Sequence, residues 1–200
     1  MATPPDLSTK LKAVNVLLAG VGEQPVTSLE TVESSLAEQA ANALDEVSRQ
    51  LQTRGWYWNK EESYPLVLNE DNEVELPINT LVVHEVRHSG QDDLVERGRK
   101  LYNRTDHTYT FETGEEVSVD ITFYLDWDEL PEFAKQAIIY VAQRRFQMRE
   151  LTSTAIDRVV QDDMDVAMGT LQQKEDEQGP ANIITGTGGL GLYGNGARRR

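Results

Sequence analysis

Residues 84–88 read HEVRH, which matches the H-E-x-x-H signature of zinc metallopeptidases. On a helix, His84 and His88 would share one face and could hold a zinc ion, while the intervening glutamate activated its bound water. The segment follows LVV and lies between a proline and a glycine, which is a strand context. On a strand, residues four apart are separated by about 13 Å, too far to share one zinc ion. We therefore predict a chance match, although the sequence leaves open a downstream ligand such as Glu112.

A second candidate for chemistry is the acidic cluster of Asp126, Asp128, Glu129 and Glu132. Paired carboxylates serve as acid, base or nucleophile in glycan hydrolases. Acidic residues at a helix start are also stabilised by the positive end of the helix dipole, and this explanation requires no catalysis. We favour the capping interpretation. A hydrolytic enzyme, either a zinc metallopeptidase or a glycan hydrolase, remains the alternative function.

Two further segments could in principle bind a ligand. Gly186, Gly188 and Gly191 match G-x-G-x-x-G, but a nucleotide site needs a strand before them and a helix after them, and the printed chain leaves no room for that helix. Residues 56–58 read WYW and could stack on a sugar or a base, yet aromatic residues between a helix and a sheet are typically core anchors. We predict no cofactor and no metal site.

The composition argues against a general nucleic-acid binder. The chain has 34 acidic and 19 basic residues, and its net charge of -15 would repel DNA phosphates. We expect Arg144, Arg145 and Arg149 to contact acidic neighbours or a neighbouring subunit instead. The lack of cysteine fits assembly in a reducing cytoplasm. Neither a leader segment nor the run of about 18 apolar residues that a membrane span needs is evident, so we predict no membrane association.

Helical periodicity marks both ends of the chain. Apolar residues recur every three or four positions over 7–21 and again over 31–54, where Gly55 occupies the position of a C-terminal cap. Asp128 and Pro131 predict the start of a third helix, and a fourth is predicted over 153–177. The predicted core face of the third helix consists of Phe133, Ala137, Ile138, Val141, Ala142, Phe146 and Met148.

The middle of the chain has the texture of short strands, because aromatic and β-branched residues alternate with prolines and glycines. Thr113-Gly114 predicts a hairpin turn that pairs HTYTFE with VSVDITFYL. The predicted fold is therefore α+β: a helical bundle of two N-terminal and two C-terminal helices, an inserted antiparallel β-rich subdomain and an extended tail. The predicted regions are an N-terminal helical pair (1–55), a β-rich insertion (56–127), C-terminal helices (128–177) and a glycine-rich basic tail (178–200).

Four segments, taken in order, resemble the tail tubular protein A family of short-tailed bacteriophages, the head-to-tail adaptor or gatekeeper family. They are LKAVNVLLAGVGEQPVTSLE, LQTRGWYWN, GRKLYNRTDHTYTF and LPEFAKQAIIYVAQRRFQMR. Together they cover most of residues 7–150. The acidic helix and the glycine-rich tail after Thr152 resemble the family only in character.

The resemblance implies a structural virion protein of the phage tail and not an enzyme. Such a protein forms a dodecameric ring between the portal protein and the tail nozzle (tail tubular protein B), and DNA passes through the ring during ejection without sequence-specific binding. Assembly would take place in the cytoplasm of the bacterial host. The resemblance also implies that the tail grips the portal, and the anchors that we expect there are Ile183, Ile184, Leu190, Leu192, Tyr193, Arg198, Arg199 and Arg200.

Overall fold

The computed structural model describes residues 8–29, 35–88, 93–114, 116–150 and 154–179. Within these ranges the chain has an α+β fold, which confirms the predicted fold class. The helices are α1 (Lys10–Gly20), α2 (Ser35–Gln52), α3 (Glu132–Glu150) and α4 (Thr154–Gln178). The strands are β1 (Lys60–Leu66), β2 (Thr80–His88), β3 (Leu94–Arg97), β4 (Lys100–Asn103) and β5 (Val117–Phe123).

The first three helices enclose one hydrophobic core. The helix α1 begins at the cap residue Thr9, whose hydroxyl accepts the backbone N–H of Lys12 at 3.2 Å. At its other end, the buried Gln147 of α3 donates its side-chain amide to the Gly20 carbonyl at 2.7 Å. The apolar positions of all three helices face each other between these two ends. The largest fully buried side chains in this core are Leu17, Leu18, Leu44, Ile138 and Phe146.

The fourth helix packs against α3 through small residues. Ala134 and Ala137 of α3 are fully buried beside Ala167 and Leu171 of α4. Small side chains on both helices bring the two backbones close together, so α4 is part of the folded body. Trp56, which is 1% exposed, completes this second core.

The β region contains an antiparallel sheet of order β1-β5-β2 and a separate β3-β4 hairpin. The hairpin turns at Gly98, whose φ of +67° is a conformation that favours glycine. Alternate residues of β5 (Val117, Val119, Ile121 and Phe123) face a third apolar cluster between the sheet and the hairpin.

The predicted hairpin across Thr113-Gly114 is wrong. The strand β5 lies between β1 and β2, both distant in sequence, whereas Thr108 and Thr110 form single bridges to Asn103 and Glu73. The turn itself exists, since Gly114 has a φ of +95°. An alternating pattern predicts a strand but carries no information about the strand with which it pairs.

Two details of the third helix also differ from the prediction. A separate 3-10 turn over Trp127–Glu129 precedes α3, which begins after Pro131, so Asp128 lies in this turn and does not open the helix. Met148, predicted on the core face, is 64% exposed. Met148 follows Phe146 by two residues, which is about 200° around the helix, so it lies on the opposite side from the core. The neighbouring Gln147 is still buried against α1, so the prediction was wrong about the direction of Met148 and not about the length of the buried face.

Candidate functional site

The most highly organised polar region is the joint between the helices and the sheet. The side-chain amide of Gln52, the last residue of α2, donates to the Leu125 carbonyl at 3.0 Å, and its oxygen accepts the Leu125 N–H at 2.8 Å. The same amide group donates to the Ser48 hydroxyl at 3.0 Å. Gln52 is fully buried, so these hydrogen bonds satisfy a side chain that would otherwise be costly to bury.

Asn59 extends the joint toward the strands. Its amide donates to the carbonyls of Gln52 at 3.0 Å and Phe123 at 2.8 Å, and its side-chain oxygen accepts the Trp56 N–H at 2.8 Å. One buried side chain thereby connects the end of α2, the following turn and the end of β5. The arrangement defines how the sheet is oriented on the helices.

A glycine at the joint allows this close approach. Gly55 has a φ of +74°, and its N–H donates to the Gln52 carbonyl at 3.0 Å, as predicted for a C-terminal cap. A Cβ atom at this position would lie 2.7 Å from the Thr122 hydroxyl oxygen. Both the conformation and the contact therefore require glycine.

The helix α4 is attached to the joint by polar contacts as well as by packing. Arg54 lies over the Trp56 ring at 4.6 Å and donates to the Gln172 side chain at 2.9 Å. The Tyr57 N–H donates to the Glu175 carboxylate at 2.9 Å. The burial of Trp56 confirms that the WYW segment supplies a core anchor, and these contacts assign it a role in orienting α4.

The face of the sheet opposite its apolar core carries a charge cluster. Arg87 of β2 donates to both carboxylate oxygens of Asp120 on β5, and the Ser63 N–H donates to the same carboxylate at 2.8 Å. The hydrogen bond from Arg87 lowers the pKa of Asp120 from 3.8 to about 2. Arg87 also donates to the exposed Glu85 at 3.1 Å. The cluster connects all three strands. Because the Asp120 carboxylate is bonded to Arg87 and Ser63 of the same sheet, we interpret the cluster as structural.

The HEVRH segment lies on β2, which confirms its predicted strand context. His84 is the extra residue of a β-bulge between Val83 and Glu85, and its Nε2 lies 2.7 Å from the Thr122 hydroxyl oxygen. His88 pairs with the core-facing Val117, so the bulge has shifted the alternation between the two histidines. Across the described ranges, no three histidine or carboxylate residues are grouped so that they could hold a metal ion.

The acidic cluster lies around the 3-10 turn. The Asp126 N–H donates to the Glu129 carboxylate at 3.1 Å, and Glu132 accepts hydrogen bonds from the backbone and hydroxyl of Ser8. Asp126, Asp128 and Glu129 are exposed, whereas Trp127 between them is buried. Glu129 and Glu132 thus satisfy backbone and hydroxyl groups where the chain enters α3, which agrees with the capping interpretation.

The arginines of the RRFQMR segment lie near the end of α3. Arg149 forms an exposed ion pair with Glu46 of α2 at 3.4 Å, which confirms the expectation of an acidic neighbour for this residue. Arg145 lies at the edge of a groove between α2, α3 and α4, next to Arg54 and Met168. The groove has a volume of about 180 Å³.

The exposed surface of α4 is strongly acidic. Between residues 161 and 178 this helix has six acidic residues and one lysine. Asp162, Asp165 and Asp176 are exposed at spacings that place them along one side of the helix. Such a stripe repels polyanions.

The predicted portal anchors and the G-x-G-x-x-G segment lie outside the described residues. Conversely, no pattern in the sequence indicated the roles of Gln52, Asn59 and Asp120. A polar residue beside an apolar pattern predicts exposure, and only the backbone groups brought to it by the fold reveal why it is buried. Among the described helices, none is both long and apolar enough to cross a membrane.

Comparison with known proteins identifies one family. The sequence model of the family described as "Tail tubular protein" matches residues 11–181, which is more than half of the 200-residue chain. The match extends from α1 to just beyond α4 and so includes the joint, both sheets and all four described helices. No curated protein matches the chain in sequence.

Proposed function

The chain belongs to the tail tubular protein family and is a structural component of a bacteriophage tail, and from this premise we propose that it is the A-type, head-to-tail adaptor. In this proposal twelve copies form a ring between the portal protein and the tail nozzle, and the ring forms part of the channel for DNA ejection. Four segments resemble the A type and occur in the same order along the chain, which supports assigning the chain to the A type within the family.

The observation that carries the channel role is the acidic stripe on α4. A wall that DNA must slide past should not bind phosphates, and the exposed Asp162, Asp165 and Asp176 repel them. We assign this side of α4 to the lumen. In this proposal the acidic wall keeps DNA from binding as it moves through the channel, and the adaptor makes no sequence-specific contact with it.

A ring that holds pressurised DNA also needs subunits that do not bend. The joint built from Gln52 and Asn59 supplies this property, because its hydrogen bonds connect helices and sheet through buried groups. Packing of α4 on Trp56 extends the same rigid body to the helix that we place at the channel.

A portal-binding experiment tests the proposal. Purified full-length chain mixed with the portal protein should sediment as a ring-sized complex that weakens as salt screens exposed charge pairs. A chain that ends at Gln178 should retain its circular dichroism spectrum but lose most binding, since it lacks the predicted anchors from Ile183 to Arg200. Full-length protein that stays monomeric and ignores the portal would contradict the proposal. Undiminished binding by the truncated chain would remove the role of the tail alone.

A further inference from the structure

The groove between α2, α3 and α4 is an apolar depression with cationic edges. Its floor consists of Val47, Leu51, Trp56, Val141 and Met168. Arg54 and Arg145 stand at its edge and give it positive charge in a chain whose net charge is -15. Its volume of about 180 Å³ exceeds the roughly 150 Å³ of an engineered apolar cavity that binds benzene, so one branched side chain fits. We call this depression the helical groove.

The β region carries an apolar side chain of matching size. Val67, immediately after β1, is 86% exposed, which is the highest value among the large apolar residues of the described chain. The exposed carboxylates of Glu70 and Asp71 follow it in the next turn. We call Val67 with these two carboxylates the acidic knob. An exposed apolar residue with acidic neighbours is complementary, in both polarity and charge, to an apolar groove with arginines at its edge.

The knob is held in a defined conformation. The Asn69 side-chain oxygen accepts the N–H groups of Asp71 at 3.0 Å and Glu73 at 2.9 Å, and the Leu68–Val74 bridge closes the loop. A loop ordered in this way loses little conformational freedom when it binds, which favours its use as a docking element.

The knob cannot reach the groove of its own chain. Leu66 pairs with Val117 at the start of β5, whereas the other end of β5 leads into the joint and the helices. A strand of seven residues separates these two ends by about 20 Å at 3.3 Å per residue. The occupant that fits the groove is therefore the knob of another copy.

We propose that the acidic knob of one copy inserts into the helical groove of the next, and that this contact joins the subunits of the ring. The proposal rests on the ring function proposed above. Each chain carries one knob and one groove on different parts of its surface, so every subunit gives one contact and receives one. Such a heterologous contact generates a closed ring when the same rotation, repeated from each subunit to the next, returns to the first subunit.

Disulfide trapping tests the contact directly, because the chain has no cysteine of its own. In the presence of portal, a Val67→Cys/Gln50→Cys variant should give a ladder of covalent oligomers under oxidising conditions; Gln50 is an exposed residue that lines the groove. A mixture of the two single-cysteine chains should stop at dimers. The matched control is Ile78→Cys/Gln50→Cys, since Ile78 is 83% exposed but lies at the other end of the sheet. We expect at least about a fivefold smaller crosslinked fraction from it.

The possible outcomes separate this contact from the ring itself. Rings that form normally while the knob variant crosslinks no better than the control would overturn the knob contact and leave the adaptor function intact. A wild-type chain that forms no oligomer in the presence of portal would overturn both the knob contact and the adaptor function. A thiol at position 50 that reacts with maleimide only after truncation at Gln178 would mean that the chain's own last residues fill the groove, which also overturns the proposal.

Discussion

Asn59 illustrates how a single polar side chain can determine the geometry of a subunit. Its three hydrogen bonds join the end of α2, the Trp56 turn and the end of β5, all of which are buried. The sequence predicted the aromatic anchor beside it but not this role. Its side-chain amide can form these hydrogen bonds only after folding has brought three backbone groups next to it.

We expect Asn59→Ala to lower the free energy of unfolding by about 2–4 kcal/mol, because each buried backbone group left without a partner costs about 1–3 kcal/mol. Urea denaturation measures the change. Asn79→Ala is the matched control: Asn79 is exposed and donates only to the Tyr124 carbonyl at 3.2 Å, so its change should stay within about 0.5 kcal/mol. Equal effects of the two substitutions would be inconsistent with a rigid joint centred on Asn59.

The Arg87–Asp120 pair predicts a specific dependence of stability on pH. The pKa of Asp120 is lowered from 3.8 to about 2 in the folded chain, so its stabilising contribution is present above pH 3.8 and is lost as the pH falls through 2. Asp120→Asn should reduce the free energy of unfolding at pH 7 by about 1.5–3 kcal/mol, as expected for a hydrogen bond to a charged group. The difference from wild type should shrink between pH 4 and pH 2.

The control for this experiment is Glu85→Gln, which removes the more exposed partner of the same arginine. Its effect should be small at every pH, since exposed ion pairs contribute little. A difference between Asp120→Asn and wild type that remained constant down to pH 2 would show that the charge on Asp120 is not what stabilises the sheet.

At the two histidines we predict that the purified protein contains no stoichiometric zinc. Both histidines lie on the strand β2, where residues four apart are separated by about 13 Å, and the His84 ring contacts Thr122 instead of a metal ligand. Elemental analysis by mass spectrometry provides the measurement. One zinc ion per chain that disappears in His84→Ala would defeat this interpretation and would revive the peptidase alternative.

At the scale of elements, helices were far more predictable than strand pairing. The apolar spacing of the four helices is local information, and it located all of them, including the helix predicted over 153–177 that is found as α4. The sheet depends on contacts between segments that are distant in sequence, since β5 pairs with β1 and β2. The alternating apolar pattern of β5 does not indicate which strands are its partners. The same limit applies to the groove, because its lining comes from α2, the turn that follows α2, α3 and α4, which are separated in sequence.

The attachment of α4 yields a prediction at this scale. Leu171 is fully buried against Trp56, Ala134 and Ala137, so Leu171→Ala should cost about 2–5 kcal/mol of stability by leaving a cavity. Hydrogen exchange should accelerate along α4 before the rest of the chain opens. Val166→Ala on the same helix, at a position 71% exposed, should change stability by less than about 0.5 kcal/mol. Unchanged exchange in Leu171→Ala would mean that α4 does not depend on this packing.

At the scale of the whole molecule, the roles that we propose for charge and for shape are complementary. The acidic stripe of α4 suits a surface that DNA passes, and the knob and groove suit repeated contact between copies. The net charge of -15 and the acidic last helix were visible in the sequence, but the exposure of Asp162, Asp165 and Asp176 and the arginines that line the groove appear only in the folded chain. Membership in the tail tubular protein family indicates that these surfaces belong to a component of the bacteriophage tail.

Electron microscopy of the chain assembled with its portal tests the central claim most directly. Rotational averaging should reveal twelve copies in one ring coaxial with the portal, with the acidic side of α4 facing the lumen. A ring in which α4 lies on the outer circumference would contradict the channel assignment. Density for the chain at any other place in the tail, or no ring at all, would contradict the adaptor function itself.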